Sequence, residues 1–208
     1  QHKTLIINNP FYVRNCPEKI FVNKYTDFMP STLITRNVSE IIKFRNKHDK
    51  IIIKPLYGNG GANVFYSDRA DKNFGSIIEN FLELSREPFI VQQFIPKVNE
   101  GDKRIILIDG EIAGAINRLP QEGEIRSNMH VGGIAAKTQI TKEDTKICNA
   151  ISKDLKNFGL FFVGIDIIGN LITEINVTSP TGIREILQLS GVNVAETFWD
   201  QAEKKINK

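Results

Sequence analysis

The strongest constraint on the fold lies in residues 162–180, Phe-Val-Gly-Ile-Asp-Ile-Ile-Gly-Asn-Leu-Ile-Thr-Glu-Ile-Asn-Val-Thr-Ser-Pro, which read as two strands joined at Gly169-Asn170. Val163, Ile165 and Ile167 alternate along the first strand and Ile175 and Val177 along the second, so the odd-numbered positions face a core. Asp166, Glu174 and Asn176 then share the opposite face. Such sharing puts Asp166 opposite Glu174, which a plain two-residue turn does not allow; the pairing needs a three-residue loop or a bulge. Two carboxylates and an amide oxygen on one face repel unless a cation sits among them, and hard oxygen donors suit magnesium. The same alternation also suits the solvated face of a half-exposed hairpin.

A second constellation runs through residues 51–65. Three isoleucines lead to Lys54, then Gly58-Asn59-Gly60-Gly61, then another β-branched and aromatic run. Glycines let backbone N–H groups approach phosphate oxygens and the lysine adds a point charge, so this loop would cradle a triphosphate. It is neither a Walker loop nor a dinucleotide fingerprint, since no Gly-Lys-Ser/Thr follows and Asn63 stands where the third glycine belongs. A glycine hairpin with a surface lysine accounts for the same residues. Gly101-Asp102-Lys103-Arg104 leads into an apolar strand, where the arginine would hold a carboxylate or phosphate, or simply close a strand-end salt bridge.

The remaining pattern is mixed α and β. Strands are expected at 5–7, 32–35, 51–53, 89–93, 104–108 and 112–116, and helices at 18–25, 39–47 (after an Asn37/Glu40 capping pair), 74–84, 141–157 (where Thr141 followed by Asp144 resembles a capping start) and 192–206. Residues 120–133, rich in Gly, Glu, Arg and Asn, form the one long stretch without clear periodicity, a loop length that is usually functional or disordered. His130 within it stands alone and suggests neither base nor ligand. A lobe boundary falls between 94 and 101.

With 208 residues, 41% hydrophobic and 25% charged, the chain is long enough for one large domain or two lobes. A net charge of +3 is too small for a nucleic-acid-binding surface, and no apolar run reaches the roughly 20 residues of a membrane span. Cys16 and Cys148 make no disulfide framework, which points to a reducing cytoplasm; no G-x-S-x-G elbow exists, and His2, His48 and His130 lack metal spacing. Lys204, Lys205 and Lys208 suit a helix C-terminus without any partner.

Taken together, Cys16-Pro17-Glu18-Lys19, Lys54-Pro55, Gln92-Gln93-Phe94-Ile95-Pro96, Gly101 to Arg104, Arg126-Ser127-Asn128 and above all residues 173–185 (Thr-Glu-Ile-Asn-Val-Thr-Ser-Pro-Thr-Gly-Ile-Arg-Glu) resemble the ATP-grasp ligases, and most closely their prokaryotic glutathione synthetase family. The resemblance implies an α/β (α+β) ATP-grasp fold of two lobes, about 12–94 and 95–208, clasping ATP between antiparallel sheets. It implies an ATP-dependent ligase that phosphorylates the carboxylate of γ-glutamylcysteine, lets glycine attack the acyl phosphate, and releases glutathione, ADP and phosphate. By the same resemblance Lys19 and Lys54 contact phosphates, Gly58, Gly60 and Gly61 cover them, Gln92, Gln93, Phe94 and Ile95 meet adenine, and Asp102 binds ribose. Asp166, Glu174 and Asn176 hold magnesium, with manganese as a substitute. Arg104 orients the reacting carboxylate, Arg126 and Asn128 lie on a closing loop, and Ser179 and Thr181 serve the acceptor amine.

A homo-oligomer is expected of the full-length protein, with no nucleic-acid or membrane partner. Two departures stand out. Ile134 follows Gly132-Gly133 where the family commonly has arginine, and the family carries a further N-terminal domain of about one hundred residues that is not found here. Competing expectations are another carboxylate-amine ligase of the same fold, such as a glutamate ligase, and a non-catalytic nucleotide-binding fragment.

Overall fold

The computed structural model describes residues 4–58, 60–124, 126–127 and 132–207. The chain enters through α1 (Pro10–Asn15), α2 (Glu18–Phe21) and a 3-10 segment (Val22–Phe28), followed by β1 (Thr32–Thr35), α3 (Val38–His48), β2 (Lys50–Pro55), β3 (Phe65–Asp68), α4 (Phe74–Leu84) and β4 (Phe89–Gln93). Its second part comprises β5 (Asp102–Ile108), β6 (Glu111–Leu119), β7 (Ile134–Ala136), α5 (Lys142–Asn157), β8 (Phe162–Ile168), β9 (Leu171–Asn176), α6 (Ile183–Ser190) and α7 (Val194–Ile206). Two sheets result, with strand orders β1-β4-β2-β3 and β7-β6-β5-β8-β9, and every pairing is antiparallel.

In the first sheet Ile51, Ile53, Phe89 and Val91 point to one side and close a core with Ile41 of α3 and Phe74, Ile78 and Phe81 of α4. Ile52, Lys54 and Gln92 therefore take the other side, because side chains alternate along a strand. The second sheet is covered on one face by α5, α1, α2 and the 3-10 segment, around Ile105, Leu107, Val163, Ile165, Ile167 and Ile175. Its opposite face changes character along β5, from Asp102 and Arg104 to Ile106 and Ile108. The apolar end lies under Ile186 of α6 and Val194 of α7. The polar end is left open, and the cleft forms there.

The hairpin expected at 162–180 is present, and a bulge sets its register. Asp166 faces Glu174 and Ile165 faces Ile175, but beyond the irregularity Ile167 faces Ile172 and Ile168 faces Leu171. The extra residue, Thr173, allows a two-residue connection to keep both carboxylates on one face. Gly164 permits a close approach elsewhere on β8: a Cβ there would sit 2.6 Å from Pro180 Cβ and 3.1 Å from Arg104 Cδ.

Several local expectations are corrected. Residues 5–7 form no strand; the segment is tied down by Asn8, whose side chain donates to Phe162 O (2.7 Å) and Val177 O (2.8 Å) and accepts from Phe162 N (2.8 Å). The helix expected over 18–25 ends as α-helix at Phe21 and tightens, with Tyr25 at non-helical φ −119° and ψ 49°. The last helix starts at Val194 because Asn193 caps it, its side chain accepting from Glu196 N. Helix α6 was not expected, lying between left-handed Gly182 and Gly191. Cys16, Phe21, Val22, Tyr25 and Met29 pack in the core of the second sheet, although they precede the first sheet in sequence. Among the described residues no helix is long and apolar enough to cross a membrane.

Candidate active site

A cleft of about 390 Å³ separates the two sheets, lined from one side by Ile52, Lys54, Gln92 and Gln93 and from the other by Asp102, Arg104, Asp166, Glu174 and Asn176. The start of α2 contributes Glu18 and Lys19, and the turn after β9 contributes Ser179 and Thr181.

Its floor is a network of buried charges. Arg104 grips Asp166 with two parallel hydrogen bonds, Nη2 to Oδ2 at 2.8 Å and Nε to Oδ1. Arg118 Nη2 lies 2.6 Å from Asp102 Oδ2 and 3.0 Å from Asp166 Oδ2. Ser127 Oγ donates to Asp102 Oδ2 at 3.2 Å, Thr173 Oγ1 to Asp166 O at 3.2 Å, and Asn176 Nδ2 to Asp166 Oδ2 at 3.3 Å. Burial alone would push the Asp166 carboxyl up, but Arg104 and Arg118 together hold it well below the usual range. Asp102 has Arg118 as its close partner, and there burial wins, pushing it up to about 6. Asp102 Oδ1 is buried without a hydrogen-bond partner, one of three such side-chain atoms among the described residues.

Two contacts cross the cleft. Lys54 Nζ lies 3.9 Å from Glu174 Oε1, and the Lys19 ammonium, 3.4 Å from Glu18 Oε1, donates to the Gly58 carbonyl of the glycine loop. Burial drives the Lys54 pKa down against the pull of Glu174. Glu18 is pushed up, first by burial and then by Glu174. Gly58, Gly60 and Gly61 all have positive φ (108°, 68° and 75°), a backbone that side chains would strain.

The expected site residues thus converge. Lys19, Lys54, Gly60, Gly61, Gln92, Gln93, Phe94, Ile95, Asp102, Arg104, Arg126, Asp166, Glu174, Asn176, Ser179 and Thr181 all line this one cleft. Gly58 does not line it but is joined to it through Lys19. Asn128, like His130, lies outside the described residues. Arg126 pairs with Glu124, Nη2 to Oε2 at 2.5 Å, and Ile134 is 60% exposed at the start of β7.

Arg118, only 3% exposed, was missed by sequence reasoning. The β5–β6 hairpin turns at Asp109-Gly110, a connection that by itself would set Asn117 opposite Asp102; a bulge, with Ala113 as the extra residue, shifts the register by one and brings Arg118 there, so the turn alone gave no signal for it.

No three His, Cys, Asp or Glu side chains form a metal cluster among the described residues. Asp166, Glu174 and Asn176 nevertheless make an oxygen set of the kind magnesium takes, one or two carboxylates plus ligand phosphates. The Glu174 side chain is 23% exposed. Asn176 presents its nitrogen to Asp166, so it joins such a set by turning its amide oxygen inward.

A family model described as prokaryotic glutathione synthetase, ATP-grasp domain, matches residues 18–191. The glutathione synthetase of Agrobacterium fabrum is 56% identical over 203 residues, covering 98% of this chain and 64% of the relative. That of Synechocystis sp. is 44% identical, covering 98% and 63%. The chain therefore spans just under two-thirds of the length of these relatives. Among solved structures, the D-cycloserine synthetase DcsG superposes with a TM-score of 0.72 at 15% identity, covering 96% of this chain and 74% of that one. The ATP-grasp ligase PsnB, complexed with minimal precursor, Mg and ADP, gives 0.70 at 17%, covering 99% and 63%. Both likenesses are of fold alone.

Proposed function

Because the chain belongs to the prokaryotic glutathione synthetase family and carries its ATP-grasp domain, we propose that it performs the ATP-dependent ligation of γ-glutamylcysteine and glycine to glutathione, with release of ADP and phosphate. The observation that carries this reading is the single cleft in which residues from Lys19 to Thr181 meet between two sheets.

In this reading Lys19 and Lys54 exchange the Gly58 carbonyl and Glu174 for phosphate oxygens, and the glycine loop folds over them. The 92–95 strand receives the base, and the unpartnered Asp102 Oδ1 accepts a ribose hydroxyl. Asp166, Glu174 and Asn176 hold magnesium, or manganese in its place, which when bound offsets the charge of the phosphates. Arg104 reaches toward Thr181 O with Nη1 at 3.5 Å, a weak contact that an incoming carboxylate displaces. That carboxylate attacks the terminal phosphorus, ADP departs, and the acyl phosphate forms. Its carbonyl is then attacked by the glycine amine, which loses a proton as phosphate leaves. Arg104 and Arg118 supply fixed positive charge to the oxyanions of both steps. Arg126 and Asn128 close over the peptide and keep water from the acyl phosphate, and Ser179 and Thr181 hold the amine.

The test is ADP release with magnesium, ATP, γ-glutamylcysteine and glycine, each left out in turn. ADP is expected only when all are present. Nucleotide binding without ADP release under any combination would instead favour a nucleotide-binding module, a second reading motivated by the chain's span of 64% of its first relative.

A further inference from the structure

Gln92 stands in the middle of the cleft face of the first sheet, and its amide is held in one orientation. Val91 points into the core, while Gln92 lies beside Ile52 on β2 and opposite Thr32 on β1. Directly opposed residues on antiparallel strands put their side chains in contact. Thr32 Oγ1 donates to the Pro30 carbonyl at 2.8 Å. A hydroxyl has one hydrogen, and a carbonyl only accepts, so Thr32 has nothing further to donate. Its other neighbour must donate to it, and Gln92 Nε2 does, at 2.8 Å. The flipped amide would set Oε1 against a hydroxyl oxygen whose proton is already committed. Oε1 is thereby fixed as the outward atom. It is not among the buried polar atoms without a partner, which are His48 Nε2, Ser67 Oγ and Asp102 Oδ1 among the described residues, and Gln92 lines the cleft.

We infer, on the basis of the nucleotide-binding role proposed above, that Thr32 is a positioning residue for base selectivity: it holds Gln92 as a hydrogen-bond acceptor toward the purine edge, so that the cleft favours a 6-amino over a 6-oxo purine. An exocyclic amine donates to Oε1, whereas a 6-oxo group sets oxygen against oxygen and leaves both unpaired. Without the Thr32 hydroxyl the amide is free to turn and donate, and the distinction fades.

The experiment compares ATP with inosine triphosphate, each with magnesium, by calorimetric titration of the whole chain. Thr32→Val keeps the β-branched shape and removes the hydroxyl; Thr32→Ser keeps the hydroxyl. Wild type is expected to prefer ATP, Thr32→Val to lower the ATP-to-ITP affinity ratio about tenfold, and Thr32→Ser to retain most of it. An unchanged ratio in Thr32→Val, with its circular dichroism intact, overturns the inference. Should that variant fail to fold, Thr32→Ala decides, since it also removes the hydroxyl: a lowered ATP-to-ITP ratio supports the inference, and an unchanged ratio overturns it. Wild type that binds both nucleotides equally also overturns it while leaving the nucleotide-binding role intact; wild type that binds neither removes both.

Discussion

Arg118 is wedged between two carboxylates at 2.6 and 3.0 Å and is 3% exposed, so its removal would leave Asp102 without its ion-pair partner and Asp166 with Arg104 as its one remaining ion-pair partner. Arg118→Met is expected to cost about 3–5 kcal/mol, read as a lowered urea midpoint, because breaking a buried ion pair leaves an uncompensated charge. A midpoint equal to that of wild type would mean the network is solvated. Glu174→Gln carries the opposite expectation: a fold kept intact and ligation lost, with wild-type turnover removing Glu174 from the metal set. Farther from the cleft, burial raises the Asp154 carboxyl, but hydrogen bonds from Lys24 and Tyr25 outweigh it and hold the group below its ordinary value of 3.8. A depressed carboxylate stabilises above its unfolded pKa, and that contribution is lost as pH falls through the folded one. Asp154→Asn should therefore flatten the decline in melting temperature below about pH 4 relative to wild type. Asp166, Glu174 and Asn176 were legible in the sequence because strand alternation assigns faces without knowledge of neighbours. Arg118 was not, because its importance comes from a partner on another strand.

Elements show the same division between local and distant causes. The start of α5 was legible from Thr141 and Asp144, and the capping box is complete: Asp144 N donates to Thr141 Oγ1 at 3.1 Å and Thr141 N to Asp144 Oδ2 at 2.8 Å. Thr141→Ala should lower stability by about 1 kcal/mol in chemical denaturation. At 5–7 the β-branched pattern was misleading, since the segment is tied to the second sheet by the Asn8 side chain, bonded to the backbone of Phe162 and Val177, rather than by a ladder. Helix α6 escaped notice because eight residues between two glycines give periodicity little room. The bulge at Thr173 was foreseen as one of two solutions, and only the tertiary structure selects between them. At Gly164 the approach of Pro180 is so close that Gly164→Ala should cost about 1–3 kcal/mol and push Arg104 out of line. Thermal melting would show the first effect and loss of ADP release the second; a variant with wild-type values in both would mean the 180–181 turn yields freely.

At the scale of the whole molecule, the cleft is where two separately cored sheets meet, and Lys54 to Glu174 is a link between them. A ligand that spans the cleft stabilises both cores at once by mass action. At a hundredfold excess over its dissociation constant, magnesium with ATP should add about 2.7 kcal/mol, seen as one raised melting transition. The cleft's pairings also make it a small ion exchanger. Lys19, Lys54, Arg104 and Arg118 face Glu18, Asp102, Asp166 and Glu174, and Arg126 is paired with Glu124, so the lining carries almost no uncompensated charge of its own. ATP alone would take the cations and strand the acids, whereas ATP with divalent cations satisfies both and arrives nearly neutral. Ionic strength should therefore matter little when magnesium is in excess and much when a chelator removes it.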